Sequence, residues 1–162
     1  MADFETEAMP HMPDVYRAAR RVVGDPVRAE DLTQEVYLQA WKSFHRYEPG
    51  TNCRAWLMKI LFYRVSHQRR LWKRIRDRFE RPLEIDPVYV PPVEDSISDA
   101  DLLAALGRLT LDARTIVLLV DVEEFSYKEA AEVLGIPAGT VMSRLSRARR
   151  QLRAFLTEAR VL

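Results

Sequence analysis

The run Ser126-Tyr127-Lys128-Glu129-Ala130-Ala131-Glu132-Val133-Leu134-Gly135-Ile136-Pro137-Ala138-Gly139-Thr140-Val141-Met142-Ser143-Arg144-Leu145-Ser146-Arg147-Ala148-Arg149-Arg150 carries two helix signals separated by a turn. Ser126 with Glu129 three residues on fits a capping box, which starts a short helix through Ala130, Ala131, Val133 and Leu134. Gly135-Ile136-Pro137 stops it. A second helix, from about Ala138 to Glu158, keeps Val141, Leu145, Ala148, Leu152 and Phe155 on one face. With that stripe inward, Thr140, Ser143, Arg144 and Arg147 project the other way. This is the helix-turn-helix arrangement, whose second helix enters a major groove. Arginine's forked donors suit guanine edges and phosphates. Arg149, Arg150 and Arg153 continue the basic surface and suit the DNA backbone better than the bases. The competing reading is a helical hairpin with a solvated basic face.

Working outward, Ser98 or Asp99 caps a helix of Leu102, Leu103, Ala105, Leu106 and Leu109. Asp112 then begins an apolar helix, Ile116-Val117-Leu118-Leu119-Val120, that is central because it is hydrophobic nearly all round. The segment 77–98 holds Pro82, Pro87, Pro91 and Pro92 and lacks a helical period, which predicts an extended linker. At about 3.3 Å per residue it reaches roughly 70 Å, about two turns of DNA at roughly 34 Å each.

The N-terminal block is also helical. Asp14 is placed to cap a helix with Val15, Tyr16, Ala19, Val22 and Val23 on one face, ended by Gly24-Asp25-Pro26. A second helix spans about Arg28 to Phe44, burying Ala29, Leu32, Val36 and Ala40 and exposing Asp31, Gln34 and Glu35. His45 to Asn52 reads as a loop. A third helix, about Arg54 to Arg76, interleaves Trp56, Phe62, Tyr63 and Trp72 with Lys59, Arg64, Arg69, Arg70, Lys73 and Arg74. Rings that stack on unpaired bases, with cations along the phosphates, suit single-stranded DNA, and the preceding loop is suited to receive a base rotated out of the duplex. The alternative is that these aromatics are core. The fold class is therefore all-α, with two small helical domains, 1–76 and 99–162, joined by the linker 77–98.

Charge agrees with two nucleic-acid surfaces. The net charge is only +1, but residues 1–75 hold 13 Lys and Arg against 9 Asp and Glu, 76–101 hold 3 against 8, and 102–162 hold 9 against 7. Counterion release depends on local phosphate contacts, so two basic blocks bind DNA while an acidic one stays off it. Cys53 is the single cysteine and the three histidines are scattered, so no metal or other cofactor is expected. Nor do these motifs contain a nucleophile with its base, so no catalytic residues are expected. The acidic N-terminus and the lack of a long apolar run predict no membrane span and a cytoplasmic protein.

The run Ala29-Glu30-Asp31-Leu32-Thr33-Gln34-Glu35-Val36-Tyr37, followed by Phe44, Gly50-Thr51-Asn52 and Arg54-Ala55-Trp56-Leu57, resembles region 2 of the extracytoplasmic-function (ECF) members of the sigma-70 family. Asp121 to Ala131 and Gly135 to Leu145 are similar to their region 4. The resemblance implies an alternative sigma factor whose partners are core RNA polymerase (the β′ clamp helices and the β flap), promoter DNA and an anti-sigma factor. It implies that Asp31, Gln34 and Glu35 meet the polymerase clamp. It further implies that Asn52, Trp56, Lys59, Tyr63, Arg64, Arg69 and Arg70 hold the melted −10 element, and that Thr140, Ser143, Arg144, Arg147 and Arg150 read the −35 element. Where many relatives carry asparagine, this chain has Tyr63, which offers a stacking ring or, alternatively, a core side chain. Other readings are a sigma-like decoy that binds an anti-sigma factor without DNA, and an ordinary helix-turn-helix regulator.

Overall fold

The computed structural model describes the backbone of residues 3–79 and 99–161 and the side chains of 3–68 and 99–158. Every regular element among them is helical. The expected linker falls mostly outside them: α4 (Cys53–Phe79) runs three residues past the expected domain end, and 80–98 lie outside the described residues. The chain divides into two compact units, Met1–Trp72 and Lys73–Leu162.

The N-terminal unit opens with a helix that the sequence reading did not foresee, α1 (Phe4–Ala8). Five residues do not make a stable helix alone. Glu5 and Glu7 in the first turn suit its dipole, and Phe4 holds it down, its ring meeting Trp41 and Phe44 edge-on at 5.3 Å each. The buried Tyr37 hydroxyl donates to the Ala8 carbonyl at 2.8 Å, tying the end of α1 to the helix that carries Tyr37. Burial is the main cause that pushes the Tyr37 phenol well above its ordinary pKa.

After a 3₁₀ turn at Met9–His11, α2 runs Met12–Val23. The expected Asp14 cap is corrected. Proline inside the first turn lets the helix begin three residues earlier, at Met12, and Asp14 there pairs with Arg17 and, at 3.2 Å, with Arg54 of α4. Gly24 ends α2 at φ 76°, in the left-handed region. Asp25 and Pro26, read as part of that stop, in fact start α3 (Pro26–Ser43): the Asp25 carboxylate accepts from the Val27 and Arg28 amides at 2.8 and 3.3 Å. Val15, Ala18, Ala19 and Val22 of α2, Ala29, Val36 and Ala40 of α3, and Leu57, Met58, Leu61 and Phe62 of α4 form the buried core.

In the C-terminal unit, α5 (Asp99–Arg108) is followed by α6 (Leu111–Val117), whose cap is Thr110 rather than at Asp112. The Thr110 hydroxyl accepts from the Ala113 amide at 3.2 Å, which leaves Asp112 to serve the dipole in the first turn. Arg114 reaches back to the carbonyls of Leu106 (2.8 Å), Gly107 (3.3 Å) and Leu109 (3.2 Å), satisfying acceptors that the end of α5 leaves open. Burial pulls this guanidinium below its ordinary pKa. The apolar run is central as expected, with Ile116, Val117, Leu118 and Leu119 buried, but it does not continue as α-helix. It widens into a π turn at Leu118–Val122, closed by the Glu123 amide on the Leu118 carbonyl at 2.9 Å. Then come α7 (Tyr127–Leu134) and α8 (Ala138–Val161), with Arg108 of α5 lying 4.0 Å from the centre of the Phe155 ring.

Candidate nucleic-acid interface

The capping box forms in both directions. The Ser126 hydroxyl accepts from the Glu129 amide at 3.1 Å, and the Glu129 carboxylate accepts from the Ser126 amide at 3.0 Å. Gly135 turns the chain at φ 65°, and the Ile136 amide donates to the Ala131 carbonyl at 3.2 Å. These local bonds set where α8 begins, and the burial of Val141, Leu145 and Ala148 at 1% exposure or less sets how it is rotated. The outward face follows: Thr140 is half-buried, and Ser143, Arg144, Arg147 and Arg150 are exposed. The Ser143 hydroxyl donates to the Thr140 carbonyl at 3.1 Å. Arg144, Arg147 and Arg150 make no ion pair among the described residues, so their donors are open to a ligand. Arg149 is different and corrects the expectation that it extends the basic surface. It holds Asp121 of the π turn with both arms of its fork, the Nε to Oδ2 distance being 2.9 Å, and that hydrogen bond is the main cause that raises its pKa further.

In the N-terminal unit, Asn52 caps α4: its side-chain oxygen accepts from the Ala55 amide at 3.0 Å. Trp56 is half-buried, 5.2 Å from Tyr47 and 6.3 Å from Phe44. Tyr47 is itself 6% exposed and its hydroxyl donates to the Thr51 carbonyl at 2.8 Å. The loop between α3 and α4 thus uses its aromatic residues to pack itself, after a 3₁₀ turn at Phe44–Arg46, and offers His45, Arg46, Glu48, Thr51 and Asn52 outward. Along α4, Lys59 and Tyr63 are exposed. Tyr63 is 54% exposed, so its ring is not a core side chain. It stacks on His67, with centroids 5.9 Å apart and planes 5° from parallel. His67 was not anticipated, although its position four residues after Tyr63 was the available signal. The side chains of Arg69 and Arg70 lie outside the described residues.

Asp31 and Gln34 are exposed on α3, as expected for a docking face, and Glu35 is half-buried. Residues assigned to two separate surfaces meet here: Glu35 Oε2 accepts from Arg64 Nη2 at 3.0 Å and from Gln68 Nε2 at 3.1 Å. Among the described residues no group of His, Cys, Asp and Glu is arranged to hold a metal, and no helix is long and apolar enough to cross a membrane.

The family profile described as Sigma-70 region 2 matches residues 8–77, and that of Sigma-70, region 4 matches 99–152. Over 150 residues the chain is 33% identical to the ECF RNA polymerase sigma factor EcfG of Rhodopseudomonas palustris, covering 90% of this chain and 80% of that one. The chain belongs to the ECF sigma factors of the sigma-70 family. It is 39% identical over 153 residues to the ECF RNA polymerase sigma factor SigE of Mycolicibacterium smegmatis, covering 91% of this chain but 59% of that relative's length. Among solved structures, the sigma factor RpoE of Bartonella quintana, crystallised with the anti-sigma factor NepR, superimposes with a TM-score of 0.71 at 30% identity, covering 97% of this chain and 98% of that one. Membership settles the class of protein: an alternative sigma factor, which is an initiation factor and not an enzyme.

Proposed function

We propose that this ECF sigma factor works in the cytoplasm, joins core RNA polymerase and directs it to promoters with two separated recognition elements, helping to melt the nearer one. The observation that carries the reading is the arginine face of α8, without an ion pair among the described residues and held outward by a buried stripe and a fully formed capping box. In this reading Arg144, Arg147 and Arg150, with Thr140 and Ser143, contact the −35 element: the arginines reach base edges and phosphates, and the hydroxyls adapt to either. The stripe Trp56, Lys59, Tyr63 along α4, with Asn52 at its start and Arg64, Arg69 and Arg70 beside or beyond it, takes the −10 strand once it is single. Stacking on the exposed Tyr63 offsets base stacking lost from the duplex. No covalent step is involved; open-complex formation draws on binding energy alone.

Asp31, Gln34 and Glu35 form the docking face for the polymerase clamp, where an acidic, amide-bearing helix suits a basic partner helix, and the C-terminal unit engages the β flap. An anti-sigma factor is the natural antagonist, since a solved relative is bound by one. Mixing the purified chain with core polymerase tests the docking face. The wild-type chain is expected to co-elute with core enzyme, and Gln34→Ala with Glu35→Ala to lose most of that association while remaining helical by circular dichroism. Unaltered co-elution of the double variant removes this face from the reading.

A further inference from the structure

Glu35 stands on the docking face of α3, and Arg64 stands on α4, the helix assigned to the melted strand. The hydrogen bonds at Glu35 Oε2 make one oxygen the anchor for two successive turns of α4, because Arg64 and Gln68 are four residues apart. The site is half open, with the Glu35 side chain 43% exposed and that of Arg64 31% exposed. It is also incompletely satisfied. The Arg64 Nε is buried without an acceptor, so the guanidinium does not use all its donors. Glu35 Oε1 holds no partner among the described residues. A half-exposed ion pair whose guanidinium keeps an orphaned donor is one that a better-placed charge displaces.

Resting on the proposed function, we infer that Glu35 is a positioning residue that couples polymerase docking to promoter-strand binding. In the free chain it neutralises Arg64 and holds Gln68 against α3, beside the outer stripe of Trp56, Lys59, Tyr63 and His67 rather than on it. A cation of the docking partner that takes the Glu35 carboxylate releases both side chains, and the freed guanidinium adds to the cationic path along that stripe. Linkage then works in both directions: a strand held by Arg64 leaves Glu35 open and raises polymerase affinity by the same factor.

The test uses the full chain without polymerase and a fluorescein-labelled single-stranded DNA oligonucleotide, read by anisotropy at fixed salt. Glu35→Gln is expected to tighten binding by about 5-fold, at the low end of measured coupling between sites. Glu35→Asp keeps the charge but shortens the reach, and is expected to tighten binding in the same direction. Both gains are expected to vanish when Arg64→Ala is added. Glu30→Gln, on the same helix and exposed, reports the generic effect of removing one negative charge. The inference is overturned if neither Glu35 variant gains affinity, if the gains survive Arg64→Ala, or if Glu30→Gln gains as much. Wild-type initiation with core polymerase alongside any of those results rejects the coupling alone; absent promoter-directed initiation by the wild type rejects the reading beneath it.

Discussion

The two units expose their cations by different means. In the C-terminal unit, the core and the proposed recognition face occupy opposite sides of one helix: Val141, Leu145 and Ala148 are buried, while Arg144, Arg147 and Arg150 have no ion pair among the described residues. In the N-terminal unit the same side chains serve both ends. Asn52 caps α4, Trp56 packs on Phe44 and Tyr47, and Arg64 is tied to Glu35. A helix that reads duplex DNA works as a rigid rod with a free face. A surface that takes bases out of a duplex has to hold several elements in register, and in the N-terminal unit the residues proposed to face the strand also hold the fold.

This contrast can be broken most severely from inside. Leu145→Ala empties a fully buried position in α8 and is expected to cost about 2 to 5 kcal/mol in the C-terminal unit, seen as an earlier unfolding transition in denaturant. On the opposite face, Arg144→Ala or Arg147→Ala is expected to leave unfolding unchanged and to weaken promoter-fragment binding by about 1 to 3 kcal/mol for a bidentate base contact. Titration at fixed salt measures it, and unchanged binding would remove that arginine from the recognition face. Ser126→Ala, which breaks the capping box, should cost about 1 kcal/mol of stability. In the N-terminal unit the separation should fail. Arg64→Ala is expected to move both properties, with stability falling by at most about 1 kcal/mol because the pair is partly exposed. Stability that does not move at all would make the two units alike.

The same contrast explains what the sequence made legible. The helix-turn-helix was readable because its determinants are local: Ser126 and Glu129 lie three residues apart, Gly135 sits where φ turns positive, and one apolar stripe fixes the rotation of α8. The Asp25 cap and the early start of α3 were missed because Gly24-Asp25-Pro26 is both a stop and a start, and the stop signal was read alone. The π turn was missed because a run that is apolar all round carries no period to reveal a change of pitch. Within the candidate site, Tyr63 left two readings that only its exposure separates. The pairing of Arg64 with Glu35, and of Arg149 with Asp121, spans 29 and 28 residues, and no spacing rule connects positions so far apart. Helix α1 had no signal beyond two acidic residues, since its stability comes from Phe4 on α3 and the loop beyond it.

The central claim is that both units address one promoter on behalf of the polymerase. Run-off transcription with purified core enzyme on a promoter library tests it most directly. The account predicts that adding this chain yields transcripts from a subset of templates that share two sequence elements at a constant separation. Transcription no more selective than that of core enzyme alone, on every template, would contradict it.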